Sequence, residues 1–188
     1  SIKAAKIRTA VISRFKLTET ESIEKYPNKF KVDLYKYGSS GASGKWVTVP
    51  SYVFSRPVTK VKVNPPSNAD PFNIFAVHFK SKRPNSAKHD DYNEAIGAAR
   101  SAIQRNIEAA ALRYYLDTFL QGQYKSDKNV STLVVGDFND TPTSVPSENI
   151  RGSFDSLPGP ASTWSEVDKK RLVSCARLHL KTAAYEDK

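Results

Sequence analysis

The stretch Leu133-Val134-Val135-Gly136-Asp137-Phe138-Asn139-Asp140 combines an apolar run with three short polar side chains. The run predicts a buried strand, because the β-branched Val134 and Val135 favour extended backbone. If the extended geometry persists to Asn139, then Asp137 and Asn139 project from one face, because side chains alternate along a strand. A carboxylate and an amide at the end of a rigid element suit metal-assisted hydrolysis, since hard cations take oxygen ligands and a general base must be held in position.

A plainer interpretation of the same stretch is a strand that runs into a turn, where Asp and Asn hydrogen-bond the local backbone. Taken alone, the eight residues favour this plainer interpretation. The rest of the chain has to decide between the two.

Length and composition predict one domain over residues 1–188 with enough apolar residues for a core. The formal charge of +10 arises from 29 Lys and Arg against 19 Asp and Glu, and such an excess attracts polyanions such as nucleic acid or anionic lipid surfaces. No apolar run is long enough for a membrane span. Residues 1–16 do not resemble a signal peptide, the compartment is not indicated, and no obligate protein partner is inferred.

The order of predicted elements is several strands, one long helix and a further strand, which indicates a mixed α/β architecture. Strands are predicted at residues 7–13, 30–37, 45–49, 58–63, 72–79 and 130–135, with a loop at 38–44 and a short helix at 146–150.

The long helix is predicted from about residue 90 to 120, with a possible break near Gly97. Apolar residues recur at threes and fours and are expected to pack on a sheet; they include Ile96, Ile103, Ile107, Ala110 and Tyr114. The interleaved polar residues are Arg100, Gln104, Glu108 and Arg113.

The strand at residues 72–79 ends near His78 and is followed by a basic loop. A histidine there suits phosphate binding or acid–base chemistry, although a lone histidine is at least as often a structural hydrogen-bonding residue. If the long helix is a crossover between this strand and the one at 130–135, the two strands are neighbours. His78 and the pair Asp137 and Asn139 would then share one edge of the sheet.

Four blocks in this order resemble the endonuclease/exonuclease/phosphatase superfamily, which includes deoxyribonuclease I and the inositol polyphosphate phosphatases. The blocks are residues 9–15 (TAVISRF), 55–57 (SRP), 75–82 (FAVHFKSK) and 135–140 (VGDFND). The long helix before the last block is similar to that of bacterial members, and the resemblance covers roughly residues 7–145.

The resemblance implies a four-layer α/β sandwich, in which two packed sheets are flanked by helices, and hydrolysis of a phosphate ester with Mg²⁺ as cofactor, or Mn²⁺ in its place. It implies that Asp137 orients or deprotonates the attacking water and that Asn139 holds the phosphate or a metal-bound oxygen, which makes these two the metal-site residues. His78 would contact a phosphate oxygen and stabilise the charge that builds in the transition state. Arg56 and Lys80 would neutralise neighbouring phosphate charge in the substrate.

The chain also departs from the family pattern. Family members carry an Asn and a metal-binding Glu on strands before the first block and an Asp-His pair on a last strand, and none of these has a counterpart here. We therefore expect a fragment of such a domain, truncated at both ends, or a degenerate member. Weak cation binding and little or no catalysis are expected of these 188 residues, although the parent protein would be an enzyme.

The leading hypothesis is a magnesium-dependent phosphodiesterase, a nuclease acting on DNA or RNA, because the basic charge suits a polyanionic substrate. One alternative is a phosphatase that acts on inositol phosphates or phospholipid head groups. The other is a non-catalytic basic module that binds nucleic acid. Tyr35, Tyr37 and Trp46 could stack on bases in either nucleic-acid case, although such aromatics more often pack within sheets.

Overall fold

The computed structural model describes residues 7–36, 45–49, 52–66, 69–85, 94–125, 131–152 and residue 172. The strands are β1 (Lys16–Lys25), β2 (Asp33–Lys36), β3 (Lys45–Thr48), β4 (Val53–Asn64), β5 (Phe72–His78) and β6 (Ser131–Asp137), and the helices are α1 (Glu94–Lys125) and α2 (Val145–Arg151). The mixed α/β class predicted from the sequence is confirmed.

Four strands form one mixed sheet in the order β1-β4-β5-β6. The β1–β4 and β4–β5 pairs are antiparallel, whereas β5 and β6 are parallel and are joined by α1. The predicted crossover helix is therefore confirmed, and the two apolar strands are neighbours. The strands predicted at 30–37 and 45–49 are confirmed, and they pair as the short antiparallel hairpin of β2 and β3, although the loop between them lies outside the described residues.

The core lies between α1 and one face of the sheet. Phe75 of β5 is 0% exposed, and its ring meets the rings of Tyr115 and Phe119 of α1 at centroid distances of 5.9 and 5.3 Å. Val77 and Phe79 follow Phe75 on the same face, because side chains alternate along a strand, and both belong to the buried cluster. Leu112 and Leu116 supply much of the helix side of this cluster.

The prediction of a strand at residues 7–13 is wrong. This segment has no regular secondary structure, and it is anchored to the sheet through Thr9. Thr59 Oγ1 donates to Thr9 O at 3.0 Å, and Thr9 Oγ1 lies 2.8 Å from Thr59 Oγ1 and 3.2 Å from Ala76 O. The edge beside β4 is occupied instead by β1, a polar strand with no apolar alternation to reveal it.

The helix is longer than predicted at its carboxyl end and is unbroken at Gly97; residues 90–93 lie outside the described residues. Gly97 is required by a close approach, because a Cβ there would lie 2.9 Å from Pro84 Cβ.

The predicted division of the helix into apolar and polar faces is partly wrong. Ile96, Ile103 and Tyr114 are exposed, whereas Glu108 and Arg113 are buried. The buried polar side chains have partners on other elements, which the helical period alone cannot indicate.

Most of the other predicted element boundaries differ from the observed ones by a few residues. Strand β4 begins five residues earlier than predicted, and α2 matches the predicted short helix at 146–150 with one more residue at each end. The carboxyl end of α2 is held by Arg113, whose NH1 donates to Ile150 O at 3.0 Å.

Candidate functional site

His78 and Asp137 lie side by side at the carboxyl ends of the parallel strands β5 and β6. They are register partners, and His78 Nε2 is 3.7 Å from Asp137 Oδ2. The imidazole side chain is 28% exposed and the carboxylate 61%, so both groups can meet a ligand from solvent. The structure thus brings together two of the three residues predicted to be catalytic.

Gly136 allows β6 to approach β5 closely just before Asp137. Its φ of 128° lies in the region that side chains rarely adopt, and a Cβ at this position would lie 2.1 Å from Val77 O. The glycine therefore helps to fix the spacing of the two strand ends that carry the candidate site.

The expectation that extended geometry continues to Asn139 is wrong. Strand β6 ends at Asp137, and Asn139 has a left-handed φ of 53°. Asp137 Oδ1 accepts a hydrogen bond from Asn139 N at 2.8 Å, which is the turn anticipated by the plainer interpretation. Asn139 Nδ2 donates to Phe79 O at 2.9 Å, so its amide group fixes the turn to the end of β5.

Among the described residues, these contacts leave Asp137 Oδ2 and Asn139 Oδ1 as the side-chain oxygen atoms of this pair that accept no hydrogen bond. The next residue, Asp140, also carries a carboxylate, but Arg105 and Lys82 hold it. Within the described residues, no three His, Cys, Asp or Glu side chains cluster in a way that could hold a metal ion. The protein donors found at this turn are therefore few, and water or substrate would have to complete an octahedral Mg²⁺ shell.

Arg56 and Lys80, the predicted substrate-binding residues, lie half-buried beside the exit of β5. Arg56 NH1 donates to Phe79 O at 2.7 Å, and Lys80 Nζ donates to Ser81 O at 3.3 Å and to Arg83 O at 3.2 Å. Burial lowers the pKa of Lys80 from its ordinary value, and the nearby Arg56 lowers it further. Both cations are thus held by backbone carbonyls and are not simply solvated loop charges.

Four further residues, for which the sequence predicted no site role, form contacts between this edge, the neighbouring loops and α1. Arg105 Nε donates to Asp140 Oδ2 at 2.8 Å, while Lys82 Nζ lies 3.5 Å from Asp140 Oδ1. Burial disfavours the charged form of Asp140, but the hydrogen bond from Arg105 holds its pKa below the ordinary value. Glu108 accepts hydrogen bonds from the backbone N–H groups of Ser55 and Lys80.

Asp140 stands inside the sequence block that defined the site, so its position could have indicated a role. Arg105 and Glu108 carry no comparable signal. They sit in a helix rich in charged residues, and only their contacts with distant segments distinguish them from solvated side chains.

A groove with a volume of about 460 Å³ lies on the sheet face opposite α1 and extends to the His78–Asp137 pair. Its walls are formed by the segment around Thr9 and by outward-facing residues of β5 and β6. The lining residues are Thr9, Ala10, Val11, Ile12, Ile74, Ala76, Val77, His78, Val135, Gly136 and Asp137.

The aromatic residues proposed for base stacking are only partly described. Tyr35 is partly exposed on the hairpin of β2 and β3. Tyr37 and the side chain of Trp46 lie outside the described residues, so stacking by the three stays a prediction.

Among the described helices, none combines the length and the apolar character needed to cross a bilayer, as the sequence predicted. Comparison with protein-family models, with curated proteins and with solved structures finds no match to this chain.

Proposed function

We propose that this chain is a divalent-cation-dependent phosphodiester hydrolase of the deoxyribonuclease I-like superfamily, and that its substrate is nucleic acid. The observation that carries the proposal is the contact of 3.7 Å between His78 Nε2 and Asp137 Oδ2 at the shared edge of two parallel strands. Arg56, Lys80 and Lys82 surround this edge with positive charge, which suits a phosphate group.

In the proposed reaction Asp137 orients a water molecule and accepts its proton while the water oxygen bonds to phosphorus. The phosphorus–oxygen bond to the leaving group breaks, and solvent protonates the leaving oxygen. Asp137 suits this role because its side chain is 61% exposed and the turn holds its Oδ1 in place. His78 donates a hydrogen bond to a phosphate oxygen and stabilises the negative charge that develops there. Arg56 and Lys80 neutralise charge on the phosphate. In the described part of the chain, Arg56 donates its hydrogen bonds through NH1, so Nε and NH2 are available for an anion.

We propose Mg²⁺ as the cofactor, with Mn²⁺ as a substitute, and Asp137 and Asn139 as the residues that hold it. The ion would supply Lewis-acid stabilisation of a phosphate oxygen. Because these residues provide only two free oxygen atoms at the turn, we expect weak binding, with much of the coordination left to water and substrate.

The four-layer arrangement of the superfamily is part of the same proposal. Leu133 and Val135, on the sheet face opposite α1, are each 43% exposed. Exposed aliphatic side chains in one row of a strand are typical of a face that another layer covers. A second sheet packed there would complete the sandwich.

The proposal is tested by the nicking of supercoiled plasmid at high protein concentration in Mg²⁺, in Mn²⁺ and in EDTA. We expect slow, metal-dependent nicking that Asp137→Ala abolishes. The control is Asp70→Ala, which changes an exposed carboxylate in the β4–β5 connection, at the opposite end of β5 from His78. Nicking that survives Asp137→Ala, or that both variants lose equally, would overturn the assignment of the site.

A non-catalytic module that binds nucleic acid is the second candidate. It is favoured by the use of Asp137 Oδ1 and Asn139 Nδ2 in a structural turn. Salt-dependent binding of an oligonucleotide with no nicking in either metal would support this candidate against the hydrolase. Release of inorganic phosphate from inositol phosphates, with no nicking, would support the phosphatase alternative.

A further inference from the structure

We propose that Glu108, in the middle of α1, is a positioning residue for phosphate binding, because it holds the two backbone segments that carry Arg56 and Lys80. This inference rests on the proposed function only in requiring that the edge of the sheet binds phosphate. It does not depend on whether the bound phosphate is hydrolysed.

The carboxylate of Glu108 joins two strands at the candidate site. Its Oε1 accepts a hydrogen bond from Ser55 N of β4 at 2.9 Å, and its Oε2 accepts one from Lys80 N, just after β5, at 2.8 Å. Glu108 is 1% exposed. Each backbone group that it holds either precedes Arg56 or belongs to Lys80 itself, so the position of both cations depends on this one carboxylate.

Helix α1 holds the backbone of Lys80 at both its N–H group and its carbonyl group. While Glu108 accepts from Lys80 N, Arg105 NH1 donates to Lys80 O at 3.3 Å. Gln104 fixes the carboxylate in turn, since its Nε2 lies 3.2 Å from Glu108 Oε1 and 3.1 Å from the Tyr26 hydroxyl. Neighbouring side chains of one helix thus determine where this segment lies.

A carboxylate suits this position better than an amide does. Both oxygen atoms of a carboxylate accept hydrogen bonds, whereas a glutamine side chain offers one oxygen and one NH₂ donor. Glutamine would leave one of the two backbone N–H groups facing a donor. The negative charge also matters, because burial and Arg56 lower the pKa of Lys80, whereas the Glu108 carboxylate raises it.

The test compares Glu108→Gln with Glu94→Gln, because each variant removes one negative charge from α1. Glu94 is exposed in the first turn of the helix. Binding of a fluorescein-labelled oligonucleotide is measured by anisotropy in EDTA at fixed salt, so that cleavage plays no part. Thermal unfolding followed by circular dichroism shows whether each variant is folded.

We expect Glu108→Gln to bind the oligonucleotide more weakly than Glu94→Gln. Loss of a negative charge alone strengthens the binding of a polyanion, so Glu94→Gln should bind as tightly as the wild type or more tightly. Glu108→Gln should bind about tenfold more weakly in spite of the same change in net charge, which corresponds to the loss of one well-placed contact. Affinity of Glu108→Gln equal to that of Glu94→Gln would overturn the inference.

A double-mutant cycle separates positioning from general destabilisation. If Glu108 acts through Arg56 and Lys80, Glu108→Gln should weaken binding much less in a background that carries both Arg56→Ala and Lys80→Ala than in the wild type. Equal weakening in both backgrounds would overturn the inference. If Glu108→Gln does not fold, Gln104→Leu decides the question, because it removes the donor that fixes the carboxylate; a loss of about two- to threefold in affinity is expected, and no loss would count against positioning.

The outcomes for Glu108 and for the proposed function can be told apart. Weakened binding by Glu108→Gln together with no nicking by the wild type would refute the hydrolase and leave the positioning role standing. Metal-dependent nicking by the wild type, together with full oligonucleotide affinity in Glu108→Gln, would support the hydrolase and refute the positioning role of Glu108. A wild-type chain that binds no oligonucleotide would refute both.

Discussion

The two faces of the four-stranded sheet differ in what covers them and in what they carry. The face toward α1 is buried and rich in aromatic side chains, with Phe75 fully buried against residues of the helix. The opposite face carries the partly exposed Leu133 and Val135 and the groove that leads to His78 and Asp137. His78 and Asp137 thus lie on one face, while Glu108 reaches the backbone of Ser55 and Lys80 from the other.

This comparison teaches that the proposed phosphate-binding cations, Arg56 and Lys80, are positioned through backbone groups that a side chain of the buried face holds. The open face leaves His78 and Asp137 accessible to solvent. The buried face supplies the hydrogen bonds, because a carboxylate removed from water keeps strong hydrogen bonds to backbone N–H groups. Stability and reactivity are therefore expected to respond to different substitutions.

The largest expected effect is a difference in the free energy of unfolding between substitutions on the two faces of the sheet. Phe75→Ala should lower the free energy of unfolding by about 3–5 kcal/mol, because it empties a fully buried site between α1 and the sheet. Val135→Ala, on the neighbouring strand but the open face, should cost less than about 1 kcal/mol. Urea unfolding measures both values, and equal losses would show that the open face is as tightly packed as the other.

A smaller effect is expected where the two strand ends meet. Gly136→Ala should lower the free energy of unfolding by about 2 kcal/mol or more, because the new Cβ meets the Val77 carbonyl and the φ of 128° is strained for alanine.

The matched control is Gly122→Ala in α1, where a Cβ meets no atom within 4 Å. This change should stabilise the protein by up to about 1 kcal/mol, since alanine favours helix over glycine. If Gly136→Ala proves as harmless as Gly122→Ala, the close approach of β6 to β5 is not what fixes the site.

The smallest effect concerns the pH dependence of the buried face. Burial raises the pKa of Tyr115 to about 12, with help from the charge and the hydrogen bond of Glu21 at 3.0 Å. Because the folded pKa lies above the ordinary value of 10.0, the contribution of Tyr115 to stability is present below pH 10.0 and is lost as the pH rises toward about 12.

Ultraviolet absorbance of tyrosinate measures this titration directly. Tyr115→Phe should remove one ionisation step near pH 12 and should make the free energy of unfolding less sensitive to pH above 10.0. Loss of an ionisation step near pH 10.0, and not near pH 12, would show that the buried face does not hold this phenol proton.

The sequence was sufficient where a local apolar pattern coincides with a buried element. Strands β5 and β6 and the helix between them follow from such patterns, and their neighbouring positions follow from the crossover rule. The proximity of His78 and Asp137 could therefore be predicted. The turn at Asn139 was predicted only as an alternative, because Asp and Asn occur both as ligands and as turn residues.

By itself, the sequence determined the type of the strongly patterned elements and the residues at their ends, because these depend on side-chain periodicity along the chain. Only the tertiary structure decided that the polar residues 16–25 form an edge strand and that Arg105 and Glu108 face the site. Those outcomes depend on partners far along the chain: β1 is defined by its pairing with β4, and Glu108 is bound to Ser55 and Lys80. Hydrogen bonds to distant backbone groups produce no periodic pattern in the local sequence. Such contacts can therefore be identified only from the tertiary structure.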